Sequence, residues 1–338
     1  MNTLNNKTPA PILAVEDLHT SFFPEEGEIR AVSGINFSIA KGETLGIVGE
    51  SGSGKSITAM SILQLLEGTT GVIKGGKIVF QGEDLLSKTR QEMMSIRGNN
   101  ISMIFQEPMT SLNPTMSIGN QIAEVIMLHQ NRTKKGAWHQ ATEMLKKVGM
   151  PEPEKRAKQY PHQLSGGMRQ RVMIAIALAC NPELLIADEP TTALDVTIQA
   201  QILTLMKRLQ RELGTAMILI THDLGVVAEM CDHVAVMYCG KIVEYTDVRS
   251  LFTAPKHPYT IGLLNSIPSH EMDSNEDLQI IAGTVPSPFE VLIGCSFAPR
   301  CPHANEQCHT EIPQLINIED RQVRCFMHQP YVQGGIDV

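Results

Sequence analysis

The sequence predicts an α/β fold, and three observations predict it. The apolar run LGIV at 45–48 leads into GESGSGKS at 49–56, and a helix-forming run starts at Lys55. The run LLIA at 184–187 reads as a buried strand that ends in Asp188, Glu189 and Pro190. Strand-like and helical stretches then alternate through 184–247, the pattern of strands covered by helices.

Taken in order, residues 12–48 alternate strand-like segments (ILAVEDL, INFSIA, TLGIV) with polar turns, a β-rich entry. GESGSGKS is a full match to G-x-x-x-x-G-K-[ST], the phosphate-binding P-loop, in its required strand–loop–helix setting. Gly49, Gly52 and Gly54 let the backbone around Ser51 and Ser53 curl, so that its N–H groups form an anion-binding nest. The helix that follows adds the positive end of its dipole. Lys55 supplies a point charge for the β- and γ-phosphates of a nucleotide such as ATP, and the Ser56 hydroxyl is placed to ligate Mg²⁺. The bland alternative is a glycine-rich surface loop. Residues 56–66 continue the helix, and GGKIVFQGEDL at 75–85 reads as a glycine-bounded strand. From about 116 to 181 apolar positions recur at three- and four-residue steps, as in IGNQIAEVIML and ATEMLKKVGM, which predicts helices. Acids at the end of the 184–187 strand, beside a P-loop, sit where a Mg²⁺ ligand (Asp188) and a base for attacking water (Glu189) belong. Their bland alternative is a solvated strand end. Beyond HPYT at 257–260 the chain turns proline- and cysteine-rich with weak periodicity, which marks a separate C-terminal appendage.

Composition sets limits. The 338 residues are ample for a real core, and 42% hydrophobic against 19% charged excludes a disordered chain. VMIAIALA at 172–179 is among the longest apolar runs, far short of the roughly 18 residues a membrane span needs. MNTLNNKTPAP at the start carries no signal pattern, so the expectation is a cytoplasmic chain that meets a membrane only through partners. A net charge of −8 argues against nucleic acid as a partner.

Two further segments, LSGGM at 164–168 and ITHD at 220–223, fall in order with the P-loop and LLIADEP. In this combination the chain resembles the ATP-binding subunits of ABC transporters. It is closest to their oligopeptide/dipeptide (and nickel) importer branch, through QEPMTSLNP at 106–114, YPHQLSGGMRQRV at 160–172, DEPTTALDVTIQAQI at 188–202 and HPYT. The resemblance runs from about residue 12 to the last cysteine. It implies a P-loop NTPase of ABC type over 1–250: a RecA-like core with an antiparallel β subdomain and a helical subdomain at about 107–181. It also implies a small cysteine-containing extension over 251–338. Gln106 matches the glutamine that contacts Mg²⁺ and the attacking water, and His222 the switch histidine at the γ-phosphate. Asp195 matches a loop that communicates across a dimer, and Phe22, with Phe23 as the alternative, is the candidate to stack on adenine. Ser165, Gly166 and Gly167 open a helix as a second phosphate site, which in the family closes over the P-loop of another subunit. Met168 departs from the general family's glutamine, but Ser165 and the backbone make the contacts. The implied partners are a second, non-identical ATPase, two transmembrane permeases and an extracytoplasmic solute-binding protein, with this chain at the cytoplasmic face of the membrane. DNA-repair ATPases share these motifs but insert long coiled coils between them; here only 108 residues separate Ser56 from Ser165. The cargo, whether peptide, nickel or another small solute, is not legible in this chain.

Of seven cysteines, Cys180, Cys231 and Cys239 lie in apolar or helical sequence and read as buried small hydrophobes. Cys295, Cys301, Cys308 and Cys325 crowd the tail without the paired C-x2-C of common zinc sites. Four thiolates on a compact loop suit an iron–sulfur cluster, and some members of the resembled branch carry a [4Fe–4S] cluster on such a tail. Structural zinc is the second reading and unligated thiols the third.

Overall fold

A computed structural model describes residues 10–192, 194–267, 280–290 and 292–329. The expectation drawn from the N-terminal stretch falls almost wholly on residues 1–9 and lies outside the described residues.

The chain opens with strands β1 (Leu13–Phe22) and β2 (Ile29–Ile39), then runs through β3 (Thr44–Val48) into helix α1 (Lys55–Ile62). Next come β4 (Gly71–Phe80), β5 (Glu83–Asp84), helix α2 (Arg90–Ile96) and β6 (Ile101–Ile104). Five helices follow without a strand: α3 (Pro108–Ser111), α4 (Ile118–Gln130), α5 (Lys134–Lys147), α6 (Pro153–Arg156) and α7 (Gly166–Leu178). Strand–helix alternation resumes with β7 (Leu184–Asp188), α8 (Val196–Leu213), β8 (Ala216–Thr221), α9 (Leu224–Met230), β9 (His233–Tyr238) and β10 (Lys241–Asp247). The C-terminal part holds α10 (Val248–Thr253), α11 (Pro258–Asn265), α12 (Glu306–Thr310) and a hairpin of β11 (Ile316–Ile318) and β12 (Arg321–Val323).

Two sheets result. Strands β2-β1-β4-β5 form an antiparallel sheet. On β2, Ile35, Phe37 and Ile39 point inward and Asn36 and Ser38 outward, the alternation of a sheet wetted on one face. The second sheet has eight strands in the order β11-β12-β10-β9-β3-β8-β7-β6, with β6, β7, β8, β3 and β9 mutually parallel. Every residue of β3, β7 and β8 is buried, which explains their unbroken apolar runs. Between β6 and β7, Ile122 and Ile126 of α4, Ala141 and Leu145 of α5 and Val172 and Ile174 of α7 share one buried core. Helix α8 shows how sequence sets its limits. Asp195 caps its first turn by accepting from the Ile198 amide at 3.0 Å, and Gly214 ends it at φ 64°.

The tail differs from the separate appendage that its weak periodicity suggests. β12 pairs antiparallel with β10, Glu244 opposite Val323 and Tyr245 opposite Gln322, so the extension continues the central sheet. The strands RQV and INI, three residues each, are too short for a periodicity test to register. At this junction Glu244 is fully buried, its carboxylate accepting from the amides of Lys256 (2.9 Å) and His257 (2.8 Å). His257, 1% exposed, accepts in turn from the Tyr259 amide at 3.1 Å.

Burial, and secondarily His328, pushes the His257 imidazole down to about 3. An unfolded histidine titrates near ~6.5, so below that pH the unfolded chain takes up a proton that the folded chain refuses. Stability therefore falls as pH drops, and His257 alone should account for about 2 kcal/mol between pH 7 and 5. His257→Asn, which keeps an acceptor for the Tyr259 amide, should remove that share from urea-unfolding midpoints compared at the two pH values. An unchanged pH dependence would contradict a neutral, buried His257.

Candidate active site

The P-loop leaves the carboxyl end of β3 and enters α1. A Cβ on Gly49 (φ 151°) would stand 2.1 Å from the Met237 carbonyl oxygen, and one on Gly54 (φ 100°) 2.3 Å from that of Ala31. Strands β9 and β2 thus press on the loop so closely that only glycine fits. Ser53 and Lys55 are buried, whereas Ser51 and Gly52 (φ 77°) are exposed at the rim. The Lys55 ammonium donates to the carbonyls of Gly49 (2.8 Å) and Glu50 (2.9 Å). Burial lowers its pKa, while the carboxylates of Glu189, Asp188 and Glu50 work the other way. Ser56 Oγ donates to Asp188 Oδ1 at 3.0 Å.

Asp188 and Glu189 end β7. Asp188 is 4% exposed, and its pKa is raised by burial and by neighbouring Glu189, against Ser56 and Lys55. A hydroxyl and a carboxylate 3.0 Å apart at the foot of the P-loop are the hard oxygen donors that Mg²⁺ takes. Glu189 adopts φ 44°, a rare conformation for a side-chain-bearing residue, with its amide held by the Ile220 carbonyl at 2.9 Å. Its carboxylate accepts from Gln106 Nε2 (2.8 Å), Thr192 Oγ1 (3.0 Å) and His222 Nδ1 (3.2 Å). Burial pushes this acid up, but the hydrogen bonds from His222 and Thr192 outweigh it and hold Glu189 below the ordinary carboxylate range. It is therefore ionised at neutral pH, a base with donors arrayed around it.

Six predicted residues are thus brought together: Lys55, Ser56 and Asp188 in one hydrogen-bonded or charge-coupled group, Gln106, Glu189 and His222 in the next. The others stand elsewhere. Ser165 caps α7, accepting from the Met168 amide at 3.4 Å, and with Gly166 it is exposed, while Gly167 lies against Ile198. Asp195 serves as the cap of α8. Phe22 is half-buried at the end of β1 with its ring over Gly71, and Phe23 is exposed, with the Lys74 ammonium 5.5 Å from its ring centre. Three site residues escaped the sequence reading. Thr192 was legible in DEPTT, three positions after the acid it bonds. Arg300 and Tyr259, which bond Glu50 inside the P-loop, carry no local signal.

The four tail cysteines line one pocket, together with His257, Phe297 and His303. Among the described residues, however, no group of three or more His, Cys, Asp or Glu side chains is arranged to hold a metal ion. Burial raises the pKa of Cys295 and Cys301, and takes Cys325 to about 11. Among the described residues no helix is long and apolar enough to cross a membrane.

The ABC transporter family matches this chain over residues 32–192, and the oligopeptide/dipeptide transporter C-terminal region over 243–308. The oligopeptide transport ATP-binding protein AppD of Bacillus subtilis is 55% identical over 319 residues, covering 94% of this chain and 97% of AppD. The oligopeptide transport ATP-binding protein OppD of Escherichia coli is 53% identical over 315 residues, 93% of each chain. Among solved structures, the dimeric post-hydrolysis state of the ATP-binding cassette MJ0796, bound to ADP and Pi, superposes with a TM-score of 0.63 at 28% identity. The match covers 70% of this chain and 99% of that one. A P-loop, two acids at a strand end and a histidine and glutamine converging on the second acid are thus found in a chain that belongs to the ABC transporter family, as an ATPase with the C-terminal region of the oligopeptide/dipeptide transporters.

Proposed function

We propose that this chain binds and hydrolyses ATP to drive import of di- or oligopeptides through a membrane complex. The observation that carries the reading is the Glu189 carboxylate, ionised and gripped by Gln106, Thr192 and His222 beside the P-loop. The peptide cargo rests on relatives that are named for oligopeptide transport and match along nearly the whole chain. The complex would contain a second, non-identical ATPase, two permeases and a solute-binding protein, with this chain on the cytoplasmic face. Its domains would be the ATPase over 1–250, with a helical subdomain at about 107–181, and the extension over 251–338.

In this reading the loop amides and Lys55 cradle the β- and γ-phosphates, and Phe22 stacks on adenine. Ser56, Asp188 and Gln106 would hold Mg²⁺, which supplies charge neutralisation on the phosphates. Glu189 orients the attacking water and takes its proton, and His222 reads the γ-phosphate. Ser165, Gly166 and Gly167 present the start of α7, a 13-residue helix, to the nucleotide held by the partner ATPase, with Asp195 at the same junction. ATP closes the pair, and its hydrolysis releases it.

Cys295, Cys301, Cys308 and Cys325 would hold a [4Fe–4S] cluster, with zinc as the second candidate. Their donor chemistry fits: four soft sulfurs face one pocket, and the cationic Lys241 and Arg324 both act electrostatically on Cys295. A cluster there would staple the tail or sense redox state, since phosphoryl transfer needs no electron.

Two measurements test these assignments. Glu189→Gln keeps the shape and removes the base, so ATP binding should persist while phosphate release in the assembled complex falls by about 10²–10⁴-fold. Release at the wild-type rate would remove Glu189 from its role. Elemental analysis of anaerobically purified protein should give about four iron atoms per chain. One zinc and no iron would substitute the zinc site, and no metal would leave four free thiols.

A further inference from the structure

Glu50 is an acid inside a loop built to receive anions. The Lys55 ammonium donates to the carbonyls of Gly49 and of Glu50 itself, and the Glu50 carboxylate acts on Lys55 electrostatically. Left alone, such a charge would repel a nucleotide by its own phosphates. It is not left alone. Arg300, 250 positions further along the chain, meets it with two nitrogens: Nη1 donates to Oε2 at 2.7 Å and Nη2 to Oε1 at 3.2 Å. The arrangement is the two-pronged fork that arginine makes with a carboxylate.

Arg300 is held as tightly as it holds. Its side chain is 4% exposed, and Nε donates to the Ala282 carbonyl at 3.1 Å. The guanidinium lies 5.9 Å from the centre of the Tyr238 ring and donates to the Tyr238 hydroxyl at 3.4 Å. Tyr259, also from the extension, accepts from the Glu50 amide at 2.9 Å, and Lys55 donates to the Glu50 carbonyl at 2.9 Å. Tyr238, Tyr259 and Phe297 pack ring to ring at 4.7–5.4 Å, which fixes the platform from which both extension residues reach the loop. Every polar group of Glu50 is therefore bonded, two of the three by the C-terminal extension. An isolated catalytic core would lack both.

We propose that Arg300 is a positioning residue for MgATP binding: by cancelling and anchoring Glu50 it lets the phosphate-binding loop accept MgATP, so the C-terminal extension forms part of the nucleotide site. This inference rests on the reading of the P-loop as the ATP site. Arg300 touches no reacting atom; it acts through a charge that would otherwise oppose the substrate.

The test separates charge from scaffolding. In the full-length chain, Arg300→Met should weaken MgATP binding, measured calorimetrically, about tenfold, and MgADP less, because ADP carries less charge. In the assembled complex KM should rise in proportion while kcat stays within about twofold. The loss should shrink at high salt, since it is a repulsion. The deciding variant is Glu50→Gln combined with Arg300→Met, which removes the stranded acid and should restore affinity to near wild type. Should Arg300→Met alone fail to fold, Arg300→Lys should bind MgATP with intermediate affinity, and the double variant still reports. MgATP affinity unchanged in Arg300→Met, or a double variant as weak as the single, would overturn the proposal. Wild-type protein that binds MgATP but does not hydrolyse it in its complex would count against the ATPase reading and leave this one standing.

Discussion

The catalytic geometry depends on parallel pairing of the central strands. β3 runs alongside β8 in register, Val48 beside Thr221, and β7 alongside β8, Asp188 beside Ile220. β6 follows on the far side, Ile104 beside Ala187. Parallel strands finish on the same edge of their sheet, so whatever follows each one is delivered to the same place. That edge receives Gly49, Gln106, Glu189 and His222 from four segments spread over more than half the chain. No helix or loop needs to fetch them.

What the edge gathers is electrically dense, and the fold manages it by opposition. Lys55 is stripped of water and would lose its proton more readily, but three carboxylates favour its charge. Asp188 is pushed toward neutrality by burial and by the acid next to it, while hydrogen bonds from His222 and Thr192 keep Glu189 ionised against its own burial. Two adjacent acids thus have their pKa values driven apart by their surroundings. The backbone contributes as well. Glu189 at φ 44° stores strain on the order of 1–3 kcal/mol, tolerated because its amide is fixed to β8.

Contiguous chemistry was legible in the sequence and long-range chemistry was not. GESGSGKS and LLIADEP could be read because strand, turn and reactive side chains follow one another directly. Gln106 and His222 were placed by resemblance, and their convergence on Glu189 is visible only in three dimensions. Arg300 sits in a tail without periodicity, and nothing local distinguishes it from a surface arginine; its meaning lies 250 positions away. The hairpin of β11 and β12 went unread because three-residue strands carry too little pattern. The tail cysteines show the converse. Their spacing announces a shared site, and they do line one pocket, together with His257, Phe297 and His303.

The addition of β12 to β10 also bears on solubility. β10 is seven residues long, and a sheet that stopped there would offer that length of unpaired amides and carbonyls to any strand nearby. With the hairpin in place β12 covers the middle of β10, at Glu244 and Tyr245, and the sheet ends on β11, three residues long, too short a template to recruit a neighbour effectively. The same tail that reaches the P-loop thereby blunts an adhesive border. Stripped of it, the core's characteristic failure would be self-association along β10, with its remaining strands still folded.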